Sequence, residues 1–280
     1  MKKTILITGA SGFIGTFFFN LLKSKNYNVF GVDFNIFKKE EDNIFDIDLI
    51  NFGEKKKLFD KIKPDFIFHL AAFAGPPRNE KDPDLAYKYN VGLVKVILKD
   101  LDSSVPIFFP STDKIFTGQK FPNEDTLLKP DNVHGKLKLE CENLIRNHTK
   151  KHFIMRQPVV HSKGGYKRKT KMSGPGSFID KAIDDITLKK KVNIFSNIKR
   201  CFIKVEELAE LYEILITSEH FGTYNLASPL LSYYDRIKDI CDYNNLDYKN
   251  YLIPTEGKID PQEQNIDSSK FERVFKRKLS

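Results

Sequence analysis

Several features are missing from this chain of 280 residues, and each absence excludes a class of protein to which it could otherwise belong. The chain has no tryptophan, so phenylalanine (24 residues) and tyrosine (11 residues) supply all of its aromatic side chains. No window approaches about 18 uncharged apolar residues, the length that a transmembrane helix needs. There is no internal repeat, no low-complexity tract and no nucleic-acid-binding motif. We therefore expect a protein that binds neither membranes nor nucleic acid.

Cysteine is also scarce, with Cys141, Cys201 and Cys241 in separate predicted elements. An odd number of widely spaced cysteines indicates reduced thiols in a cytosol, and none of them has the spacing of a metal site. The segment 1–7 resembles a signal peptide only superficially, because its apolar run stops at Gly9 and no cleavage-type segment follows. We therefore expect a cytoplasmic protein without a bound metal.

Positive charge exceeds negative charge, with 46 Lys and Arg against 37 Asp and Glu and a formal net charge of +9. Such an excess is typical either of a phosphorylated or nucleic-acid partner or of lysine-rich helix faces in solvent. The lysines are scattered singly through periodic segments, which favours solvated faces. The length and the hydrophobic fraction of 40% allow one large α/β unit or two lobes that share a sheet.

Short apolar runs alternate with amphipathic segments along the chain. The predicted elements are strand 4–8, helix 13–25, strand 28–33, strand 43–46, helix 52–62, strand 66–70, helix 83–101, strand 106–109, helix 134–147, strand 152–156, a helix from 178, strand 192–195, helix 205–217, strand 223–226 and helix 233–243. This alternation predicts an α/β fold with a Rossmann-like, doubly wound parallel sheet. We assign residues 1–160 to this domain and 161–280 to a smaller C-terminal substrate-binding lobe.

A glycine-rich turn follows the first predicted strand and opens the first helix. Gly9, Gly12 and Gly15 suit a tight turn, a close approach of pyrophosphate to the backbone, and close packing of the helix on the strand. The partial positive charge at the start of that helix favours a diphosphate. Asp33 ends the second strand, where a carboxylate accepts hydrogen bonds from both ribose hydroxyls of an adenosine. The pattern predicts a dinucleotide-binding site.

The identity of the dinucleotide depends on the charges after the second strand. The Asp33 carboxylate repels a 2′-phosphate, which favours NAD. Lys38 and Lys39 follow closely and either could pair with that phosphate, so NADP stays open. Asp46 and Ile47 end the third strand and are expected under the adenine, although Asp46 could equally be a surface carboxylate.

A series of longer motifs runs nearly from end to end of the chain. They are residues 8–15 (TGASGFIG), 69–72 (HLAA), Asn90 within YNV, 111–118 (STDKIFTG), 130–140 (PDNVHGKLKLE), 200–208 and 222–227 (GTYNLA). In these motifs the chain resembles the extended short-chain dehydrogenase/reductases, and among them the dTDP-4-dehydrorhamnose reductase branch. The resemblance implies that a segment near 198–226 returns to the first domain. It also implies a cofactor site made of Gly9, Ser11, Gly12, Phe13, Ile14, Gly15, Asp33, Asp46, Ile47, Leu70, Ala71, Ala72, Asn90 and Lys138.

The same resemblance implies the catalytic residues. Thr112 would hydrogen-bond the substrate carbonyl or hydroxyl, and Lys138 would hold the nicotinamide ribose. His134 stands where the family carries its proton-transferring tyrosine, four residues before Lys138 and on the same face of a helix. An imidazole has a reference pKa of about 6.5 and a phenol one of about 10. A charged Lys138 would push His134 further toward the neutral form.

Three interpretations of His134 remain open. It acts as the acid/base with an altered pH profile, or catalysis has been lost and only ligand binding remains. Alternatively, another group such as Tyr166 replaces the phenol. Tyr166 lies in the segment 162–176, which is rich in glycine and lysine and is either a basic lid over a substrate phosphate or a solvated surface loop.

The substrate implied by the resemblance is a nucleotide-activated sugar or another phosphorylated small molecule. Arg200 would reach its phosphate, because a planar guanidinium suits bidentate contacts. Lys114 replaces a tyrosine of the branch and is either an anion contact or a surface lysine. Asp113 is either a catalytic carboxylate or part of a turn, and His161 ends a strand where substrate contacts are usual.

We therefore predict an NAD(P)-dependent oxidoreductase that reduces the keto group of a nucleotide-activated sugar. A sugar-nucleotide epimerase or dehydratase on the same frame is the first alternative. A catalytically inactive, NAD(P)-binding regulatory protein is the second, and it is motivated by the absence of the tyrosine. A homodimer is compatible with either activity.

Overall fold

The structure, a computed structural model, describes residues 2–34, 36, 43–162, 177–258 and 262–279. Its strands are β1 Thr4–Thr8, β2 Asn28–Asp33, β3 Ile44–Asp46, β4 Phe66–His69, β5 Ile107–Thr112, β6 His152–Gln157, β7 Val159–His161, β8 Val192–Phe195, β9 Lys199–Arg200, β10 Phe202–Lys204, β11 Gly222–Asn225, β12 Leu231–Ser232, β13 Leu252–Thr255 and β14 Glu263–Gln264. Its α-helices are α1 Phe13–Lys23, α2 Phe52–Ile62, α3 Pro76–Lys81, α4 Pro83–Tyr87, α5 Leu93–Asp100, α6 Val133–His148, α7 Phe178–Thr187, α8 Val205–Leu215, α9 Tyr233–Tyr243 and α10 Ser269–Phe275.

Seven parallel strands form the central sheet in the order β11-β6-β5-β4-β1-β2-β3. The chain begins at β1, moves outward through β2 and β3, and then crosses back to β4 before continuing through β5 and β6. The reversal leaves a crevice at the carboxyl ends of β1 and β4, which is where doubly wound sheets bind their ligands. The Rossmann-like parallel sheet predicted from the sequence is confirmed.

The apolar run of β1 is buried because helices cover both faces of the sheet. Ile5 and Ile7 belong to the core shared with α1 and α8, whereas Leu6 points to the opposite core with α2, α5 and α6. All three side chains have no exposed surface. Burial of each such side chain contributes about 1.5–3 kcal/mol, so the two cores hold the carboxyl ends of the strands in a fixed arrangement.

The C-terminal part of the chain builds small sheets beside the main one. Strand β7 pairs with β10, β9 lies between β12 and β14, and β8 pairs with β13. Strand β11 joins the main sheet beside β6, α8 packs on α1, and Phe271 of α10 lies in the same core as β1. The segment near 198–226 thus returns to the main sheet through α8 and β11. The division at residue 160 remains our proposal for the domain boundary.

Two helical segments differ from the sequence prediction. The single helix predicted over 83–101 is α4, a π-helical turn at Lys88–Gly92 and α5. Within that turn Asn90 Nδ2 donates to Ala86 O at 2.8 Å, and a side chain that bonds its own helix competes with the regular backbone ladder. Helix α3 was not predicted. It begins with Pro76 and Pro77, and proline suits the first helical position because the N–H it lacks has no partner there.

Three further features of the described residues concern membrane-spanning helices, groups of metal ligands and disulfide bonds. Among the described residues, no helix combines the length and the apolar composition that a membrane span requires. In the same part of the chain, no group of three or more His, Cys, Asp or Glu side chains is arranged to hold a metal ion. The three cysteines are buried and form no disulfide.

Candidate active site

The glycine-rich turn lies against the backbone that follows β4. Gly9 has φ +71°, and a Cβ at this residue would lie 2.6 Å from Ala71 N. A Cβ at Gly15 would lie 2.0 Å from Gly9 O. Only glycine fits either position, because any side chain would push the turn away from its neighbours. Helix α1 begins directly after Gly12, which lines the pocket, and its first turn has neither a side-chain cap nor an acidic residue, so the partial positive charge of the helix start lies at the crevice.

The Asp33 carboxylate is held at the end of β2 by backbone groups. Ser11 N donates to Oδ2 and Phe34 N donates to Oδ1, each at 2.9 Å. Burial raises the pKa of Asp33 to about 6, although these hydrogen bonds oppose the rise. The carboxylate is therefore ionised at neutral pH and is oriented by the same turn that would hold a diphosphate.

A pocket opens between the glycine turn and the ends of β2 and β4. The predicted cofactor residues that line it are Gly9, Gly12, Asp33, Ile47, Leu70, Ala71 and Ala72. The lining residues that the sequence analysis missed are Val32, Phe34, Asp48, Leu49, Phe73, Tyr89 and Leu93. Mostly apolar walls with two carboxylates, Asp33 and Asp48, suit an adenine and its ribose.

Seven predicted cofactor residues are not among those that line this pocket: Ser11, Phe13, Ile14, Gly15, Asp46, Asn90 and Lys138. Asp46 is exposed at the end of β3, opposite Asp33 in the strand register, whereas Ile47 and Asp48 line the pocket. The chain turns away after β3, and the Tyr89 hydroxyl binds Asp48 Oδ2 at 3.2 Å. Asn90 is buried next to the lining residue Phe73, and its Nδ2 lies 3.4 Å from Phe73 O.

Of the remaining residues of the predicted cofactor site, Lys138 lies on α6 and the others lie in the turn and at the start of α1. Ser11 is buried and contributes its backbone N–H to Asp33. Phe13 and Ile14 form the first turn of α1 and are partly exposed. Several sequence predictions fall outside the described residues: Lys38, Lys39, Tyr166 and the segment 163–176 as a whole.

Helix α6 brings the predicted catalytic pair to the carboxyl end of β5. The Asn132 side chain caps the helix by accepting from Gly135 N at 2.8 Å. A Cβ at Gly135 would lie 2.7 Å from Lys114 O, so the helix start packs directly on the 3₁₀ turn Asp113–Phe116 that follows β5. Lys138 Nζ donates to Pro110 O at 2.7 Å and lies 4.4 Å from the centre of the Phe109 ring on the same strand.

Burial keeps the two imidazoles near Lys138 neutral. The pKa of His134 is lowered to about 3 by burial and by the charges of Lys138 and Lys114. Burial and Lys138 also lower the pKa of His69 to about 3, and His69 Nδ1 lies 2.7 Å from Thr8 Oγ1. Burial lowers the pKa of Lys138 itself to about 8. At neutral pH the site therefore holds an ammonium between uncharged rings.

The His134 ring is bound by a residue that sequence reasoning did not identify. Its Nδ1 lies 2.8 Å from Oδ1 of Asn79, a fully buried residue of α3. Asn79 Nδ2 donates in turn to Phe73 O at 2.6 Å. No pattern in the sequence pointed to Asn79, because α3 was not predicted and the pair is 55 residues apart.

A buried charge cluster supports the base of α6. The carboxylate of Glu142 accepts from Arg156 Nη2 at 2.9 Å, from Arg146 Nη1 at 2.8 Å and from Ser111 Oγ at 2.5 Å. Burial by itself raises the pKa of Glu142, but the hydrogen bonds and the charge of Arg156 exceed that effect and lower it. The cluster connects β5, β6 and α6, and so fixes the helix that carries His134 and Lys138.

The predicted substrate residues Asp113, Lys114 and Arg200 come together around Gln264. Lys114 Nζ donates to Gln264 Oε1 at 2.5 Å, and Gln264 Nε2 donates to Asp113 O at 3.0 Å. Gln264 is also the strand partner of Arg200 in the β14–β9 pair. Thr112 is buried next to this group, with Oγ1 3.3 Å from Asp113 Oδ1. Gln264 is 150 residues from Lys114, and the sequence gave no sign of it.

His161 lies in a different environment from the other predicted substrate residues. It is buried at the end of β7, opposite Lys204 in β10, and its Nδ1 lies 2.8 Å from Ser162 O. It lines a second pocket together with Lys204, Glu206, Arg236, Asp239, Ile240 and Tyr243.

The family of the chain follows from a match that covers most of its length. The model of the NAD dependent epimerase/dehydratase family matches residues 5–227, which include the glycine turn, β5 and α6. The chain belongs to this family. The resemblance to extended short-chain dehydrogenase/reductases seen in the sequence is confirmed.

Individual relatives are more distant. The spore coat polysaccharide biosynthesis protein SpsK of Bacillus subtilis is 27% identical over 259 residues, which cover 90% of this chain and 83% of that protein. The methionine adenosyltransferase 2 subunit beta of Xenopus tropicalis is 28% identical over 158 residues, or 56% of this chain, and the match spans only about half (46%) of that protein. The dTDP-4-dehydrorhamnose reductase from Bacillus anthracis, solved in complex with NADP, superposes with a TM-score of 0.81 at 21% identity, covering 100% of this chain and 94% of that one. This structural likeness establishes a common fold.

Proposed function

We propose that the protein is an NAD(P)-dependent enzyme that exchanges hydride with one carbon of a nucleotide-activated sugar. The observation that carries the proposal is the position of His134 and Lys138, which share one face of α6 where it packs on the end of β5. Reduction of a keto-sugar, as predicted from the sequence, and epimerisation through a transient ketone both need this pair beside a dinucleotide pocket. The relatives named for polysaccharide biosynthesis and for dTDP-4-dehydrorhamnose reduction support a sugar substrate.

The residues of the pocket fit a nicotinamide dinucleotide. The turn at Gly9 and Gly12 and the start of α1 would hold its diphosphate, and Asp33 would accept hydrogen bonds from its adenosine ribose. Lys138 would hold the nicotinamide ribose. When bound, the nicotinamide ring supplies or accepts the hydride. The ionised Asp33 disfavours a 2′-phosphate, so NAD is the proposed cofactor and NADP the alternative.

Three residues of the chain would act on the sugar. Thr112 would hydrogen-bond the reacting oxygen, and His134 would exchange its proton. The charge of Lys138 would stabilise negative charge on that oxygen. Arg200, Lys114, Asp113 and His161 are the proposed contacts to the rest of the substrate, with the Arg200 guanidinium as the phosphate group's partner.

A titration followed by turnover assays tests the proposal. The purified chain is titrated with NADH and with NADPH, and then mixed with a panel of keto-sugar nucleotides while nicotinamide absorbance is followed. The reverse assay uses NAD and nucleotide-activated sugars that carry secondary hydroxyls. We expect binding with preference for NADH and a change of absorbance with at least one sugar. Absence of dinucleotide binding would contradict the proposal.

A nucleotide-binding protein without turnover is the second candidate function. The observation in its favour is the neutral imidazole of His134 where the family carries a phenol, together with relatives named as a subunit of methionine adenosyltransferase 2. Binding of NADH without turnover across the whole panel would support this candidate. A homodimer remains a prediction under both functions, and light scattering of the purified chain tests it.

A further inference from the structure

The contact between Asn79 and His134 determines which nitrogen of the imidazole carries a proton. Asn79 is fully buried in α3, and its Nδ2 lies 2.6 Å from Phe73 O. A carbonyl oxygen can only accept, so the nitrogen of the Asn79 amide must face Phe73 and its oxygen must face His134. Because Asn90 Nδ2 also approaches the same carbonyl, at 3.4 Å, this oxygen is held in place by two amides.

The direction of the amide then assigns the ring. Asn79 Oδ1 lies 2.8 Å from His134 Nδ1, and an amide oxygen cannot donate, so Nδ1 must carry the hydrogen. In a neutral imidazole the second nitrogen, Nε2, is then unprotonated and holds a lone pair. This nitrogen is on the side of the ring away from Asn79.

The charges around the ring keep it neutral. Lys138 lies one turn along α6 and Lys114 lies on the 3₁₀ turn, and both ammonium groups oppose a positive imidazole in addition to burial. On the side of α3, the His134 ring contacts the uncharged amide of Asn79. The nearby carboxylate of Glu80 accepts the Val133 N–H at 2.7 Å and caps the helix start instead. The resting site therefore presents a proton acceptor at Nε2.

We propose that Asn79 is a positioning residue that holds His134 as a proton acceptor, so that the site is prepared to remove the proton of a sugar hydroxyl. This inference rests on the proposed function and specifies its first step. The hydroxyl O–H bond breaks and its proton passes to Nε2, the adjacent C–H pair leaves as hydride for an oxidised nicotinamide dinucleotide, and a C=O bond forms. A reaction that begins with a secondary alcohol, such as epimerisation through a transient ketone, fits this resting state. Direct reduction of a keto-sugar needs a proton on the nitrogen that faces the substrate, and in the resting imidazole Nε2 carries none.

The tautomer can be measured without turnover. The full chain is labelled with nitrogen-15 in its histidine rings, and two-bond proton–nitrogen spectra near neutral pH distinguish protonated from unprotonated ring nitrogens. His134→Phe identifies the His134 signals by their loss. We expect a protonated Nδ1 and an unprotonated Nε2 in the wild-type chain. A protonated Nε2 in the wild-type chain overturns the proposal.

Substitution of Asn79 links the tautomer to the reaction. In Asn79→Leu we expect mixed ring signals and a kcat for alcohol oxidation that falls by about 10²- to 10⁴-fold with KM nearly unchanged, the order of loss found when a catalytic histidine is held in the wrong tautomer. Asn79→Asp retains an acceptor for Nδ1, so we expect it to restore the ring signals. Its negative charge should also move the acidic limb of the kcat/KM profile to higher pH.

The control and the remaining outcomes separate this inference from the proposed function. Asn193→Leu, at an exposed position of β8, should change neither the ring signals nor kcat. Wild-type ring signals and kcat in a folded Asn79→Leu variant overturn the role of Asn79. The expected tautomer in a chain that turns over no sugar overturns the proposed function and the proton transfer, whereas the fixing of the ring by Asn79 still stands.

Discussion

Ser11 and Asp33 are joined by a hydrogen bond of 2.9 Å from the backbone N–H of one to the carboxylate of the other. It connects the glycine turn after β1 to the end of β2, so the proposed diphosphate site and the proposed ribose site cannot move independently. The same carboxylate has a pKa of about 6 because of burial. Cofactor binding should therefore depend on pH and on the charge at Asp33.

The first prediction concerns this pH dependence. The ionised carboxylate accepts the ribose hydrogen bonds and the neutral acid accepts them poorly, so NADH affinity should be full above pH 6 and fall as the pH drops through about 6. Asp33→Asn should weaken NADH binding by about 10- to 100-fold, since hydrogen bonds to a charged group contribute about 1.5–3 kcal/mol. Asn at this position also removes the repulsion of a 2′-phosphate, which should improve NADPH binding relative to NADH.

Fluorescence titration with NADH and NADPH at several pH values measures both effects. The Asp33→Asn variant should lose the pH dependence between pH 5 and 7.5, a range chosen to bracket the pKa of about 6. If the wild-type chain binds NADH equally well throughout this range, Asp33 is not the ribose contact.

The second prediction concerns the contact between α1 and the glycine turn. Gly15→Ala places a methyl group 2.0 Å from Gly9 O, so the helix must shift away from the turn. We expect a loss of about 1–3 kcal/mol in the free energy of unfolding, as for other overpacked positions, and at least a tenfold loss of NADH affinity.

Gly53→Ala is the matched control for this substitution. Gly53 is a helical glycine of α2 whose Cβ would have only Asn51 Oδ1 within 4 Å, at 3.8 Å. Alanine should stabilise the helix by up to about 1 kcal/mol and leave NADH binding unchanged. Urea unfolding and NADH titration compare the two variants, and equal behaviour of both would contradict the close packing of α1 on the turn.

The third prediction concerns the buried cluster under α6. Glu142→Gln retains the shape of the side chain but leaves Arg156 buried without its counter-charge, which should cost about 3–5 kcal/mol. Because the pKa of Glu142 is lowered in the folded chain, its stabilising contribution is present above the unfolded value of about 4.5 and is lost as the pH falls through the lower, folded value.

Chemical denaturation at neutral and acidic pH measures this contribution. The difference in stability between wild type and Glu142→Gln should be largest at neutral pH and shrink under acid conditions. Glu140→Gln is the control on the same helix, since the Glu140–Lys95 pair is exposed and solvent screens its contribution to stability. A Glu142→Gln variant as stable as Glu140→Gln at neutral pH would remove the cluster from the support of the site.

The fourth prediction concerns the proton-transferring position. His134→Phe retains a ring of similar size but removes both nitrogens, so turnover should be lost while NADH affinity is retained. His220→Phe, at an exposed histidine near the C-terminal helix, should keep full turnover. His134→Tyr introduces the phenol of the family, and a rise in activity would mean that the site still supports the family's usual chemistry. Unchanged turnover in His134→Phe would exclude His134 from the mechanism.

Local sequence signals were sufficient for the elements that form the dinucleotide pocket. The glycines at 9, 12 and 15 and the carboxylate at Asp33 were found because the chemistry of a β-turn-α unit is encoded over fewer than 30 consecutive residues. The same signals predicted Ile47, which lines the pocket, but not Asp48, which lines it too, since only the path of the chain after β3 shows which residues reach the pocket.

Amino-acid order alone thus determined the parallel sheet, the glycine turn with Asp33 beside it, and the placement of His134 and Lys138 on one helix, because periodicity and i,i+4 spacing act over short distances. Only the tertiary structure shows which side chains hydrogen-bond to His134 and Lys114. Asn79 reaches His134 across 55 residues and Gln264 reaches Lys114 across 150, contacts that no local pattern encodes. The low pKa of His134 arises from burial between packed elements, and burial exists only once the chain has folded.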